Sequence, residues 1–203
     1  AVSPVHATDE DALMRCAELA MHHAKQAQTS FSVFRPEMDV KSDVALSLLG
    51  ELRQAIERQE FQLFLQPKVL LQNGHLVGAE ALIRWKHPTR GMVPPGLFIP
   101  FAEQSGFIRQ ITNWLLIESM RIWRALADQG VTLQMSINLS ARDLIDTELP
   151  ARVRALLIEH RVPASAMCLE ITESAIMDDP QRAEQTLAQF SEMGLQMSID
   201  DFG

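Results

Sequence analysis

Acidic and amide side chains stand at the ends of several apolar segments of this chain. Glu80 lies in A-E-A-L-I-R-W, Asn138 ends L-Q-M-S-I-N, Glu170 ends M-C-L-E, and Asp200 and Asp201 end L-Q-M-S-I-D-D. The last three segments each follow a helical pattern, and strands of such repeating β-α units lie parallel with their C-terminal ends on one face. We therefore expect four acidic groups and one carboxamide to converge on one rim and to crowd around one point.

These groups are all oxygen donors, which favour Mg²⁺, Mn²⁺ or Ca²⁺ over Zn²⁺. A single strand-end acid is more simply a helix N-cap or a solvated loop residue, but four strands ending this way indicate a site. Such a set suits two metal ions that clamp the attacking and leaving oxygens of a phosphodiester displacement.

Arg84 shares the strand face of Glu80 and is either a phosphate fork or a surface arginine paired with an acid. Gln66 is either a ligand contact or an edge-strand amide.

Composition narrows the class of protein. The 203 residues carry a net charge of −8 and are 47% hydrophobic, which predicts a packed core and argues against a surface for nucleic-acid polymers. Cys16 and Cys168 are expected to be buried reduced thiols, as in a reducing cytoplasm. The N-terminus does not have the pattern of a signal peptide, and no apolar run approaches the roughly 18 residues of a membrane span. We expect no membrane contact by this segment, although a longer parent protein could be anchored.

Periodicity and turn residues predict the elements that must position these groups. Asn73-Gly74 is a strong hairpin signal, so the first two strands of the main domain are expected to be antiparallel, with Pro67 ending the first or lying at an edge. Residues 38–43 resemble a linker. Helices are expected over 9–27 (capped by Asp9 or Thr8), 44–60, 97–104, 108–128, 147–160 and 180–193, and strands over 31–34, 61–68, 75–85, 132–138, 167–172 and 195–201.

Five motifs in order resemble the EAL-domain family of cyclic di-GMP phosphodiesterases. They are E-A-L with an arginine two residues later, P-P-G-L-F-I-P-F-A-E-Q-S-G, S-I-N-L-S-A, L-E-I-T-E-S and D-D-F-G, spread over residues 44–203. The resemblance implies a modified TIM (β/α)₈ barrel whose first strand is antiparallel, present here through about its fifth strand. It implies hydrolysis of cyclic di-GMP to linear pGpG with two Mg²⁺ or Mn²⁺ ions, and it is compatible with a homodimer of the complete domain.

The same resemblance assigns roles to residues. Glu80, Asn138, Glu170 and Asp200 are similar to the ligands of the first metal, with Asp200 bridging and Asp201 on the second metal. The resemblance implies that Gln66, Arg84 and the backbone around Leu82 contact the dinucleotide, and that Glu173 supports a loop without ligating metal. Glu80, Glu170, Asp200 and Asp201 form the implied catalytic set.

The N-terminal stretch is similar to the end of a GGDEF domain. We therefore predict a GGDEF-like tail over 1–36, a linker over 37–43 and the N-terminal portion of an EAL phosphodiesterase domain over 44–203. A complete (β/α)₈ barrel takes about 250 residues. The resemblance also implies a lysine, a glutamate and a glutamine beyond D-D-F-G, so residues 1–203 alone are expected to be inactive. The alternatives are a receptor that binds cyclic di-GMP without cleaving it, and a purely structural partner domain.

Overall fold

The protein is described here from a computed structural model covering residues 1–26 and 29–200. The chain forms two compact units, and the division between them follows Gln54. None of the described helices combines the length and the apolarity that crossing a membrane requires.

The first unit contains helix α1 (Glu10–Gln26) and most of helix α2 (Pro36–Glu57). The predicted N-cap of α1 is confirmed, because the Asp9 carboxylate accepts a hydrogen bond of 2.9 Å from the amide of Ala12. Phe34 is buried with Cys16.

Two local predictions in the first unit are wrong. Residues 31–35 have no regular secondary structure, because the apolar ring of Phe34 is buried in a cluster with helical residues instead of lying in a paired strand. Residues 38–43, expected to be a linker, lie within α2. Pro36 is the first residue of that helix, where its fixed φ and missing N–H are tolerated.

The second unit is built on one curved sheet. Its strands are β1 (Phe61–Val69), β2 (Leu76–His87), β3 (Gly91–Val93), β4 (Gln134–Leu139), β5 (Met167–Thr172) and β6 (Gln196–Asp200). They are ordered β1-β2-β4-β5-β6, with β3 paired to β2. The β1–β2 and β2–β3 pairs are antiparallel, and the β2–β4, β4–β5 and β5–β6 pairs are parallel.

The predicted antiparallel hairpin is confirmed. Gly74 has a φ of 70° and its amide donates to the carbonyl of Leu70 at 2.8 Å, while the Asn73 side chain accepts from the amide of His75 at 3.0 Å. Pro67 lies in β1, at the edge of the described sheet, as its missing donor requires.

Helices follow the parallel strands. They are α3 (Ile99–Ser105), α4 (Ile108–Ala127), α5 (Ala141–Leu144), α6 (Leu149–His160), α7 (Glu173–Asp178) and α8 (Pro180–Glu192). The sequence did not reveal α5 or α7, which have four and six residues. Both begin directly after a strand, so each fixes the path of the chain as it leaves the C-terminal end of the sheet.

Alternation along β2 separates a helix-covered face from an inner face. Ala79, Ala81 and Ile83 are buried, and Trp85 is fully buried in an aromatic cluster with Phe61. The residues between them are only half-buried. The inner face is therefore the side of the sheet on which side chains remain accessible to a ligand.

Candidate functional site

Strand register places the predicted ligands on this inner face. Glu80 pairs with Ser136, Asn138 lies two residues beyond Ser136, and Asn138 pairs with Glu170. Glu170 in turn pairs with Ser198, two residues before Asp200. Because paired residues of neighbouring strands share a face and residues two apart along a strand do too, all four side chains project from one side of the sheet. The prediction that Glu80 stands at a strand end is wrong, because β2 continues to His87 in its pairing with β1 and β3.

Glu80 and Asn138 are in direct contact. The Asn138 amide Nδ2 donates to Glu80 Oε1 at 2.8 Å. Asn138 is exposed and Glu80 is half-buried, so both remain open to solvent on the inner face. One carboxylate oxygen of Glu80 and the amide oxygen of Asn138 are free of this bond and could bind a cation.

Glu170 has a different partner, which sequence reasoning missed. Its Oε1 forms an ion pair with Nζ of Lys68, and the same ammonium donates to Ser136 Oγ at 2.9 Å. Glu170 is 7% exposed and Ser136 is 1% exposed, so the lysine neutralises a carboxylate that is largely removed from water. Lys68 lies two residues after Gln66 on β1, and this period-two spacing could have placed it on the same face, although not in contact with Glu170.

The Lys68 contacts also show that the sheet is curved. Lys68 is on β1 while Glu170 is on β5, three strand spacings away in the sheet order. A flat sheet would separate these strands by about 14 Å, farther than a four-carbon lysine stem can reach. The contact therefore requires a sheet curled with its inner face concave, as in a barrel.

Gly78 leaves room for this arrangement. It pairs with Lys68 across the β1–β2 ladder, and a Cβ at this position would lie 2.8 Å from the carbonyl oxygen of Gln134. Real Cβ atoms do not approach backbone this closely, so β2 and β4 can pair here only because residue 78 has no side chain. The same absence keeps the inner face open beside Lys68.

The predicted dinucleotide contacts lie on the same face. Gln66 pairs with Glu80, while Leu82 and Arg84 follow Glu80 at intervals of two residues. Nη1 of Arg84 donates to the carbonyl of Ile83 at 2.9 Å, and its guanidinium lies 5.9 Å from the centre of the Phe64 ring. The role of Arg84 as a phosphate fork stays a prediction.

Asp200 and Glu173 lie at the β6 end of the strand order. Asp200 ends β6 and pairs with Thr172, whereas Asp201 lies outside the described residues. Glu173 is the exposed first residue of α7, immediately after Thr172, whose hydroxyl caps that helix by accepting from the amide of Ala175 at 3.3 Å. The role of Glu173 in loop support stays a prediction.

In the part of the chain that the structure describes, the acidic side chains do not crowd around one point, and the metal-ligand set stays a prediction. Over residues 1–26 and 29–200, no three side chains of Asp, Glu, His or Cys come together as a set that could hold a metal ion. The contacts give the reason, since Glu170 is turned onto Lys68 while Glu80 is bonded to Asn138. The donors share a face without being drawn to one centre.

The chemistry of the donors nevertheless fits a hard divalent cation. Cys168 pairs with Ser136 on the inner face, but burial raises the pKa of its thiol and the Glu170 carboxylate raises it further. A thiol with a raised pKa stays protonated at neutral pH and is a poor metal ligand. The groups left to bind a cation are carboxylate and amide oxygens, which suit Mg²⁺ or Mn²⁺.

A buried carboxylate supports the chain after Asn138. Asp143 accepts hydrogen bonds from the Ser140 amide at 2.9 Å, the Ser140 hydroxyl at 2.6 Å and the Thr112 hydroxyl at 3.0 Å. Burial raises its pKa, and these hydrogen bonds offset part of that shift. Ser140 and Asp143 form a capping box that starts α5 and ties the end of β4 to α4. The S-x-x-D spacing was a sequence signal for this support.

The sequence profile of the family described as EAL domain matches residues 49–203. The chain belongs to the EAL domain family. This EAL chain is 42% identical over 193 residues to the bifunctional diguanylate cyclase/cyclic di-GMP phosphodiesterase MucR of Pseudomonas aeruginosa, covering 94% of this chain and 28% of that protein. It is 35% identical over 204 residues to the cyclic di-GMP phosphodiesterase PdeR of Escherichia coli K12, covering 100% of this chain and 31% of that protein.

Solved structures of EAL proteins have a fold similar to that of this chain. A PaMucR phosphodiesterase in complex with c-di-GMP matches with a TM-score of 0.74 and 44% identity, over 77% of this chain and 64% of that one. The EAL enzyme Bd1971, with cAMP and cyclic di-GMP bound, matches with a TM-score of 0.77 and 29% identity, over 97% of this chain and 52% of that one. The predicted α/β fold of a partial EAL barrel is confirmed. The EAL chain spans about a third of the length of the two curated relatives.

Proposed function

We propose that this EAL domain, in its complete form, hydrolyses cyclic di-GMP to linear pGpG. The observation that carries the proposal is the shared inner face of Glu80, Asn138, Glu170 and Asp200 on neighbouring strands, in a chain whose relatives are named cyclic di-GMP phosphodiesterases. In the reaction one water adds across one phosphodiester bond, and the cyclic molecule opens with a free hydroxyl and a terminal phosphate.

We assign Glu80, Asn138, Glu170 and Asp200 as the residues that would hold a first divalent ion, and Asp200 with Asp201 as those that would hold a second. Bound as a pair, Mg²⁺ or Mn²⁺ would activate water and stabilise the leaving oxygen. The amide of Asn138 fixes the Glu80 carboxylate through their 2.8 Å hydrogen bond. The capped turn at Ser140 holds the end of β4 that carries Asn138.

The substrate is oriented by residues on β1 and β2. Arg84 supplies a planar cation that can donate two parallel hydrogen bonds to one phosphate. Gln66 pairs with Glu80 across β1 and β2. We assign Gln66 and the backbone around Leu82 to contacts with the dinucleotide. Since the chain carries a net charge of −8, these contacts and the divalent ions must offset its repulsion of an anionic ligand.

The cellular location and the domain order are also proposals. We infer a cytoplasmic EAL domain that follows a GGDEF-like segment over residues 1–36. The MucR match supports this order, because it covers 94% of the chain and therefore extends well before residue 49.

One observation favours a receptor that binds without cleaving. The Glu170 carboxylate is already neutralised by Lys68 and is not drawn toward Glu80. A receptor of this kind would retain cyclic di-GMP unchanged.

The experiment that separates the two functions uses the full-length protein. Cyclic di-GMP is incubated with the protein in Mg²⁺, in Mn²⁺ and in excess EDTA, and the nucleotides are separated by chromatography. The proposal expects pGpG to accumulate with either ion and to be absent with EDTA. Bound, uncleaved cyclic di-GMP in the presence of both ions would reject hydrolysis and identify a receptor.

A further inference from the structure

We propose that Lys68 is an internal competitor of the divalent cation: its ammonium neutralises Glu170 in the metal-free protein and lowers the affinity of the site for Mg²⁺ or Mn²⁺. The inference rests on the proposed metal-dependent function. It goes further because it names a residue outside the ligand set that controls the affinity of the ligands for the divalent cation.

The contacts hold the ammonium among the donors. Nζ of Lys68 pairs with Oε1 of Glu170 and donates to Ser136 Oγ at 2.9 Å. Glu170 pairs with Asn138 in the β4–β5 ladder, and Asn138 is bonded to Glu80. The lysine therefore neutralises one member of the assigned ligand set, while two of the others, Asn138 and Glu80, bond each other.

Burial of the Glu170 carboxylate explains why a positively charged group such as the Lys68 ammonium is needed beside it. Glu170 is 7% exposed, and a carboxylate largely removed from water is costly unless it is paired. Lys68 supplies that pair while keeping 39% of its own side chain exposed. A half-exposed lysine on a flexible stem can withdraw its ammonium toward solvent, which an enclosed cation could not do.

Electrostatics sets the direction of the effect. A divalent ion that ligates Glu170 would lie close to the ammonium, and the two positive charges repel each other. Binding must therefore either displace the ammonium from Glu170 or tolerate this repulsion. In both cases, removing the positive charge at position 68 strengthens cation binding. A lysine that merely positioned Glu170 for the metal would have the opposite effect, because its removal would weaken binding.

The test compares wild type with Lys68→Met, which keeps an unbranched side chain, one heavy atom shorter, and removes its charge. Mn²⁺ affinity of the full-length proteins is measured by isothermal titration calorimetry at pH 8. We expect the Kd of Lys68→Met to fall by roughly tenfold, the effect of one nearby unit charge on a partly hydrated dication. Lys86→Met is the matched control, since Lys86 is exposed on β2, six residues from Glu80, and its loss changes the net charge equally.

Thermal unfolding gives a second readout that does not depend on activity. In EDTA, Lys68→Met should melt several degrees below wild type, because Glu170 is then buried without its cation. In saturating Mn²⁺ the difference should close or reverse. A residue with a purely structural role would lower the melting temperature equally in both conditions. Lys68→Gln, which retains a hydrogen-bond donor, is measured in parallel in case the methionine variant does not fold.

The outcomes are distinct. Tighter Mn²⁺ binding by the Lys68 variants, with Lys86→Met unchanged, supports the competitor. Equal or weaker binding by the variants, with wild type still binding Mn²⁺, overturns the inference and leaves the proposed function standing. If the wild-type protein binds neither Mn²⁺ nor Mg²⁺, the proposed metal-dependent function fails.

Discussion

Glu80 and Arg84 lie four residues apart on one strand face, yet their proposed roles predict different kinetic defects. Glu80 is assigned to a metal ion, so its loss removes both water activation and stabilisation of the leaving oxygen. Arg84 is assigned to a substrate phosphate, where a charge-assisted hydrogen bond contributes mainly to binding. The distinction is between a group needed in the transition state and a group that holds the substrate throughout.

The first prediction follows from this distinction. In the full-length protein, Glu80→Ala should lower kcat more than about 100-fold, beyond the effect usual for residues that only support a metal ligand. Arg84→Ala should raise KM at least about tenfold with a smaller change in kcat. Glu184→Ala, an exposed glutamate of α8, is the control and should leave both constants unchanged. Near-normal turnover by Glu80→Ala with Mg²⁺ or Mn²⁺ would remove Glu80 from the ligand set.

Asp143 leads to a prediction about pH and stability. Burial raises its pKa, hydrogen bonds from Ser140 and Thr112 offset part of the shift, and the Asp146 carboxylate adds to it. Burial and the Asp143 carboxylate also raise the pKa of Glu103. For an acid whose pKa is raised on folding, the stabilising contribution is fully present below its unfolded pKa, about 3.9 for Asp, and is lost as pH rises through the folded pKa.

We therefore expect Asp143→Asn to gain stability relative to wild type as the pH rises from about 4 to neutral, because Asn does not ionise. Urea unfolding at a series of pH values measures the difference. The control is Asp128→Asn: hydrogen bonding to Arg124 lowers the pKa of Asp128, so any slope should be small and of opposite sign. A difference for Asp143→Asn that did not vary with pH would contradict the prediction.

At the scale of secondary-structure elements, Gly78 determines how closely β2 approaches β4. A Cβ at position 78 would lie 2.8 Å from the carbonyl oxygen of Gln134, so Gly78→Ala must push the two strands apart. We expect a loss of about 1–3 kcal/mol in the free energy of unfolding, as for other overpacked sites. Gly96→Ala is the control, because a Cβ there would meet nothing within 4 Å. Equal unfolding free energies for the two variants would show that the strands adjust freely.

The elements that could be predicted are those whose signals are local. The strand Met167–Thr172 was predicted with its observed bounds, and Asn73-Gly74 predicted the antiparallel hairpin, because alternation and turn residues act within a few positions. The predicted strand over 31–34 was wrong because alternation alone does not supply a partner strand. Helix α5 was missed because four residues are too few to show a helical period.

For the candidate site, the sequence could predict which side chains share a face of the sheet but not which of them are in contact. Glu80, Asn138 and Glu170 were correctly placed on one face, since register follows from the parallel β-α units, but Glu80 lies within β2 and not at its end. The Lys68 contacts could not be predicted, because they join β1 to β5 across a concave sheet. Curvature depends on the whole sheet, whereas a sequence pattern describes one strand at a time.

At the scale of the whole molecule, the EAL match covers residues 49–203, while the MucR phosphodiesterase structure is longer, with 64% of it covered by this chain. Within the described sheet, β6 pairs only with β5, and all five of its residues are exposed, including Asp200. A strand held along one side is free to fray. A proposed bridging ligand on such a strand needs further sheet or a partner to hold it in place.

We therefore expect residues 1–203, expressed alone, to produce no measurable pGpG with Mn²⁺, while the full-length protein does. Productive geometry tolerates displacements of well under about 1 Å, and a fraying β6 would move Asp200 farther than that. The segment's mass is verified before assay, and circular dichroism establishes whether it is folded. Turnover by the segment comparable to that of the full-length protein would show that Asp200 is held well enough by β5 alone.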